Sequence, residues 1–416
     1  MTVRTAPALR RRTAAGLAAA LTVGALLATP ATAAPSSPAT PAVATASMTV
    51  LSTGVPGKPY SEPTGLNDAG VVVGYAWADG QGRAASAIRW NQDLSPTVLP
   101  PLPGEDYAQA LGVNGAGTVI GISWPAPREQ SDATAVRWSA GGTPTALPPL
   151  PGDTFSRPIA VSVSGTVVGT SSHGAQDHPV AWRPDGTAVA LAPLPGDTEG
   201  LVYDVNGAGL AVGFSYTGIG PKRATVWGPD GTPTPFVTDP AAVESGAYRI
   251  NEAGAVVGGV DLPLAGGGSA WHGVIRSADG ILHDLGPQTY ASRITSSGST
   301  VGAYQPDPTR LRTYAARWSP DGVRAQVDLE QQPEGQTTAE AVNESGTVVG
   351  YLWSGIPARE YQSGLVWAPD GSVTNLEPAG QSSARFVNDS GLVVGLWLPR
   401  PVGNLYPHHL AAVWRP

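Results

Sequence analysis

Apolar residues in this chain come in short β-branched runs, each cut off by a turn rich in Asn, Asp, Pro or Gly. Nowhere in residues 48–416 do they recur at the three- and four-residue spacing of a helix. The stretch Asn114-Gly115-Ala116-Gly117-Thr118-Val119-Ile120-Gly121 shows the organising unit. Its pattern, Asn-x-x-Gly-x-aliphatic-Val-Gly loosely kept, occurs eight times, closing on Gly74, Gly121, Gly169, Gly213, Gly258, Gly302, Gly350 and Gly395. The steps between these glycines are 47, 48, 44, 45, 44, 48 and 45 residues. An apolar residue precedes each Asn position, as Leu66, Val113 and Val205 do. A tryptophan follows each glycine (Trp90, Trp138, Trp182, Trp227, Trp318, Trp367 and Trp414) except in the fifth unit, where Arg276 stands in its place.

One period predicts four strands. In residues 107–152 these run from Gln109 to Val113, Thr118 to Ile122, Ala133 to Trp138 and Thr145 to Leu150. Asn114 caps the first turn through its side chain, and a following Gly accepts a positive φ. The Gly that closes each second strand marks a close backbone approach or room for a ring, with the third-strand Trp as the candidate ring. Four short antiparallel strands per period of roughly 45 residues are the signature of a β-propeller blade, and eight units predict an all-β, eight-bladed propeller. The last unit ends at its third strand. Thr49-Val50-Leu51-Ser52 resembles Thr97-Val98-Leu99-Pro100 and is expected to supply the missing outer strand, which closes the ring and removes an open edge.

The N-terminus lies outside this pattern. Arg4 and Arg10-Arg11-Arg12, the uncharged run Ala14 to Leu27 and the small residues Ala31-Thr32-Ala33 read as a secretory signal peptide over 1–33, cleaved near Ala33. Its apolar core falls short of the about 20 residues of a membrane span. The hydrophobic residues usual after a twin-arginine pair are missing, so general secretion is expected. Residues 34–47 read as a flexible leader. Without the signal's four arginines, 20 basic residues face 32 acidic ones, a net charge of −12. Binding of nucleic acid or anionic lipid by general electrostatics is not expected of such a chain. Charged residues make up only 13% of the sequence, so the surface is expected to be built largely from Gly, Pro, Ser, Thr and Gln. There is no cysteine, which excludes thiol chemistry and disulfides.

The repeats resemble the HAF repeat of bacterial extracellular proteins. The second half of that pattern is matched by Ala339-Glu340-Ala341-Val342-Asn343-Glu344-Ser345-Gly346-Thr347-Val348-Val349-Gly350. The first half is degenerate: its His position is kept only by His178 and His272, and Leu-Pro-Gly replaces Leu-Gly-Gly at Leu102, Leu150 and Leu194. The resemblance implies a secreted repeat protein with a propeller-like fold and carries no activity.

In a propeller of this strand order the Asn-x-x-Gly and Asp-Gly turns share one face, and the variable loops share the other. Insertions confined to one face mark a binding surface. Trp77, Trp124, Tyr216, Trp353 and Trp397 lie on or beside these loops and are ligand candidates, with blade capping as the alternative for the tryptophans. Two residues before the Asn position, three consecutive units carry Asp204, Arg249 and Arg293 where the others are mostly small or apolar. If that position faces the channel, they form an asymmetric anion-binding cluster; the alternative is a charge-paired patch of wall. His173, Asp177 and His178, and His408-His409, lack the three-ligand geometry of a catalytic metal site, so no metal and no cofactor are expected. There is no Gly-x-Ser-x-Gly elbow, phosphate loop, sialidase-type Asp box or quinoprotein Trp motif. The expectation is a secreted, monomeric, non-enzymatic module that binds an extracellular glycan or protein. The alternatives are a polysaccharide hydrolase or lyase using the channel residues, and a structural part of the cell envelope.

Overall fold

The computed structural model describes residues 46–415 apart from 79–83, 127–132, 175, 238, 308, 310–311, 326–334, 357–358, 377–380 and 400–408. The expected signal peptide and all of the leader before residue 46 lie outside the described residues. So do Arg83, Arg128, Arg310, Arg400, Tyr406 and His408 of the variable loops.

Eight four-stranded antiparallel sheets follow one another along the chain, a β-propeller of eight blades. The first blade contains β2 (Tyr60–Leu66), β3 (Val72–Trp77), β4 (Ser86–Trp90) and β5 (Pro96–Leu99). The next six inner strands are β6 (Tyr107–Val113), β10 (Phe155–Val161), β14 (Glu199–Val205), β18 (Glu244–Ile250), β22 (Thr289–Ile294) and β26 (Gln336–Val342). The last blade is built from β30 (Gln381–Val387), β31 (Val393–Leu398), β32 (Leu410–Arg415) and, from the other end of the chain, β1 (Ser47–Val50). Each inner strand touches the inner strands on either side, β30 against β2 included, so the ring is closed. The closure is antiparallel, with Met48 opposite Trp414 and Thr49 opposite Val413, and Leu51 N donates onward to Ala411 O at 2.9 Å.

In the second blade the strands run Tyr107–Val113, Val119–Trp124, Thr134–Trp138 and Pro144–Leu147, within a few residues of expectation. The fourth ends at Leu147 because Pro148, Pro149 and Pro151 have no N–H to pair with a neighbour. Every inner strand carries a β-bulge opposite the repeated glycine; in blade one the register slips between Pro63 and Gly65. That bulge explains the glycine. A Cβ on Gly74 would collide with the Glu62 carbonyl, and the same collision recurs at the seven equivalent glycines. Backbone approach is therefore the main cause. A tryptophan ring, Trp138 at 2.8 Å, joins it at Gly121.

The tryptophans bind blade to blade. Trp90, Trp138, Trp182, Trp227, Trp318, Trp367 and Trp414 are all essentially inaccessible to solvent. Trp138 Nε1 donates to Pro100 O of the preceding blade at 2.7 Å, and Trp90 Nε1 donates to Ser52 O beyond the closing strand at 2.6 Å. Burying such a ring contributes several kcal/mol each through apolar area alone, roughly 2–4.

The Asn turns form a second circle. Asn67 Oδ1 accepts from Val71 N, as the cap predicts, and Gly70 adopts φ 81°. Its Nδ2 also donates to Asn114 O, and Asn114 in turn donates to Ser162 O. The series Asn343, Asn388, Asn67 continues it across the closure. Asn206 and Asn251 carry it from the fourth blade to Thr295 in the sixth. Between blades six and seven the Glu344 carboxylate substitutes, accepting from Ser296 N. Between blades three and four, where Ser162 replaces Asn, no hydrogen bond joins the two turns among the described residues.

Candidate functional site

The inner-strand bulge decides which side chains meet near the axis. In a regular strand, consecutive residues point to opposite faces; a bulge sets two residues against one and breaks that alternation. Accordingly Tyr248 with Arg249, and Ser292 with Arg293, line the same cavity. This cavity has a volume of about 660 Å³ and spans blades four to six, with Tyr203 and Lys222 on one side and Trp271 and Tyr290 on the other. Lys222 follows a second strand and Trp271 begins a third, so the cavity opens on the variable-loop face.

Local sequence makes room for it. Gly246 lies opposite Gly259, and Gly259 lies opposite Gly273, a strip without side chains across the fifth blade. A Cβ on Gly246 would strike the Tyr248 ring at 2.8–3.0 Å, and one on Gly259 would run into the Trp271 indole. Both rings thus sit where other blades place side chains: the equivalent of Gly259 is Tyr75, Ile122, Thr170, Phe214, Ala303, Tyr351 or Leu396. Tyr203 and Tyr248 meet edge to face, with centroids 5.8 Å apart.

Both arginines are half-buried, and their guanidiniums are fixed by their own backbone. Arg249 Nη1 donates to Tyr248 O at 2.7 Å and Arg293 Nη1 to Ser292 O at 2.9 Å. Neither has a carboxylate at ion-pair distance among the described residues. Burial, with the Arg249 charge beside it, lowers the Arg293 guanidinium to about 10. Burial also raises the Tyr248 hydroxyl, to about 12. At the rim Lys222 faces Glu244 at 3.5 Å.

The structure brings Arg249 and Arg293 together and sets Asp204 beside them in another role. The Asp204 carboxylate spans two inner strands, accepting from Val205 N at 3.0 Å and from Ile250 N of the next blade at 3.1 Å. At the same position in blade one, a Cβ on Gly65 would point at Gly112 and Val113 of the next inner strand. Asp204 likewise turns to the neighbouring strand and braces it, whereas the longer Arg249 and Arg293 at the same position reach the cavity. Burial pushes its carboxyl up, against the pull of Arg249.

The predicted aromatics scatter. Trp77 is 6% exposed, packed on Tyr75 and His409. Trp124 is fully buried among Ile122, Ala85 and Ala133. These two faces are covered by protein, as blade capping requires. Tyr216 is half-buried against Phe214, Trp397 packs on the core of the closing blade, and Trp353 is 37% exposed. None of the five lines the cavity. His178 pairs with Asp153 at 2.9 Å rather than with Asp177.

A second polar cluster near the axis is missed by the sequence pattern. Arg385 of the last blade pairs with Glu62 of the first at 2.6 Å, and Tyr75 donates to the same carboxylate at 2.8 Å. His409 Nε2 stands 3.5 Å away, at the edge of a useful contact. Burial alone would raise the Glu62 carboxyl, but His409, Arg385 and Tyr75 together bring it down to about 2. Glu340, between Arg293 and Arg385 in charge influence, is raised by burial. Arg385 and Glu340 occupy the bulged position itself, one residue before the position that singled out Asp204; that offset is the signal that would have found them.

No family model matches the chain, and no curated protein matches it. Among solved structures it is similar to dipeptidyl peptidase 4 of Porphyromonas gingivalis (11% identity, 84% of this chain and 57% of that one, TM-score 0.54). It is also similar to prolyl oligopeptidase B of Galerina marginata (11% identity, 82% and 55%, TM-score 0.51). A third likeness is to TolB of Acinetobacter baumannii (13% identity, 62% and 63%, TM-score 0.38). The chain thus spans less than two thirds of the length of each. At these identities the first two likenesses establish the propeller fold alone. Among the described residues no helix is long and apolar enough to cross a membrane.

Proposed function

We propose that this protein is an exported, monomeric binding module of the HAF-repeat type, which engages an extracellular glycan or protein with the variable-loop face of its propeller and catalyses no turnover. The observation that carries this reading is the cavity of blades four to six: aromatic rings seated on a glycine strip, beside two guanidiniums with no carboxylate at ion-pair distance among the described residues, on the face where the blades differ. Rings and fixed donors at a preformed concave site are what a ligand of modest size requires. Export is supported by the N-terminal signal pattern. Binding of the full chain to arrays of glycans and of extracellular proteins tests the reading. The expected result is retention of a ligand without product formation. Binding should be lost in Trp271→Ala combined with Tyr248→Ala, and kept when the opposite face is altered by Arg89→Gln. Release of a cleaved product, abolished by the same pair, would replace this reading with a hydrolase or lyase.

A further inference from the structure

We infer that the cavity of blades four to six takes a carboxylated sugar, the acid group of a uronate residue lying against Arg249 and Arg293 and the pyranose ring against Tyr248 and Trp271. This rests on the binding reading above and names its ligand class.

The argument starts from the two cations. A half-buried guanidinium with no carboxylate at ion-pair distance has lost part of its hydration for little return, the Asp204 and Glu340 charges acting only from further off. Here one N–H of each is already spent on a backbone carbonyl, which fixes the plane of the group and leaves its other donors directed elsewhere. A planar fork held in place is suited to a planar carboxylate, which it meets with two parallel hydrogen bonds. Asp204 meets this demand only through its charge at longer range: it makes no ion pair with either arginine, and its carboxylate is directed at Val205 N and Ile250 N.

The rest of the lining selects what carries the acid. Four aromatic side chains, Tyr203, Tyr248, Trp271 and Tyr290, surround the arginines. Rings of this kind stack on the C–H face of a sugar, and their polar edges meet its hydroxyls. A peptide C-terminus offers the carboxylate without a ring-sized face. Dense polyanions are disfavoured by the acidic body of the protein and by Glu244 at the rim. One charge per ring is the pattern that fits.

Calorimetric titration of the full chain with trimers of galacturonate, glucuronate and mannuronate, each beside its methyl ester, tests the assignment. At least one acid trimer should bind, with its ester at least ten-fold weaker. Arg249→Gln and Arg293→Gln should each weaken the acid trimer at least ten-fold without lowering the melting temperature, and Arg293→Lys should recover part of the loss. The ester comparison uses the unaltered protein, so it stands whether or not the variants fold. Equal binding of acid and ester would overturn the carboxylate assignment while leaving a glycan-binding module in place. Binding of a sulfated trisaccharide or of a free C-terminal peptide in preference to every uronate would overturn it as well. Failure of all these probes, together with silence on the arrays, would remove both readings.

Discussion

Glu62 couples the first blade to the last through one carboxylate, and its titration reports on that coupling. Its folded value of about 2 lies below the ordinary 4.5. A depressed carboxyl stabilises the fold above its unfolded value and loses that contribution as pH falls toward the folded one. The shift corresponds to about 3 kcal/mol, present above roughly pH 4.5 and gone near pH 2. Glu62→Gln should therefore cost about 2–4 kcal/mol near neutrality, since it leaves Arg385 without its anion. It should also flatten the stability profile across that acid window. Denaturant melts of both proteins from neutral pH downward check this; parallel curves would contradict it. Asp204, Arg249 and Arg293 were legible in the sequence because they interrupt a periodic register of small residues. Glu62 and Arg385 were not: they sit 323 residues apart, and only ring closure makes them neighbours. Nor could composition place the serines and threonines. Assigned to the surface, many are buried stitches between blades, such as Ser156, whose Oγ accepts from Ala135 N and donates to Leu147 O.

The strands and their Asn turns were readable because each depends on its own few residues. The cap from Asn67 Oδ1 to Val71 N spans four positions, and a pattern of that length shows in one repeat. The donation from Asn67 Nδ2 to the next turn does not show, since it depends on how neighbouring blades are set. Asn114→Ala removes both and should destabilise the protein by about 1–3 kcal/mol, because the Ser162 carbonyl and the Thr118 amide lose buried partners. Ser162→Asn should act in the opposite sense, adding roughly 1 kcal/mol by supplying the donor missing between blades three and four. Chemical denaturation of the two variants checks both signs. The burial of two of the aromatic candidates was hidden for a related reason. Trp77 and Trp124 sit at the ends of second strands and pack against residues of the preceding blade, His409 and Ala85 respectively, which no single repeat discloses.

At the scale of the whole ring, the closing strand is the feature on which the others depend. Removing residues 1–52 deletes β1, exposes the edge of β32 and takes away the Ser52 carbonyl that accepts from Trp90 Nε1. Lower thermal stability and edge-to-edge association are expected of that truncation, read by calorimetry and light scattering. A truncation as stable and as monodisperse as the full chain would show that the circle holds without its clasp.

The clasp lies in blade eight, and the one interval of the Asn circle left unbridged among the described residues lies across the ring from it, between blades three and four. Breathing motions should then concentrate at that interval. Deuterium should enter the amides around Val163 ahead of those beside Asn114 or Asn388. The blades that hold the sugar-sized cavity begin immediately past this hinge and remain laced together through Asn206 and Asn251. They are expected to tilt as one body, widening or narrowing the mouth between neighbouring loops while the pocket's own walls keep their spacing.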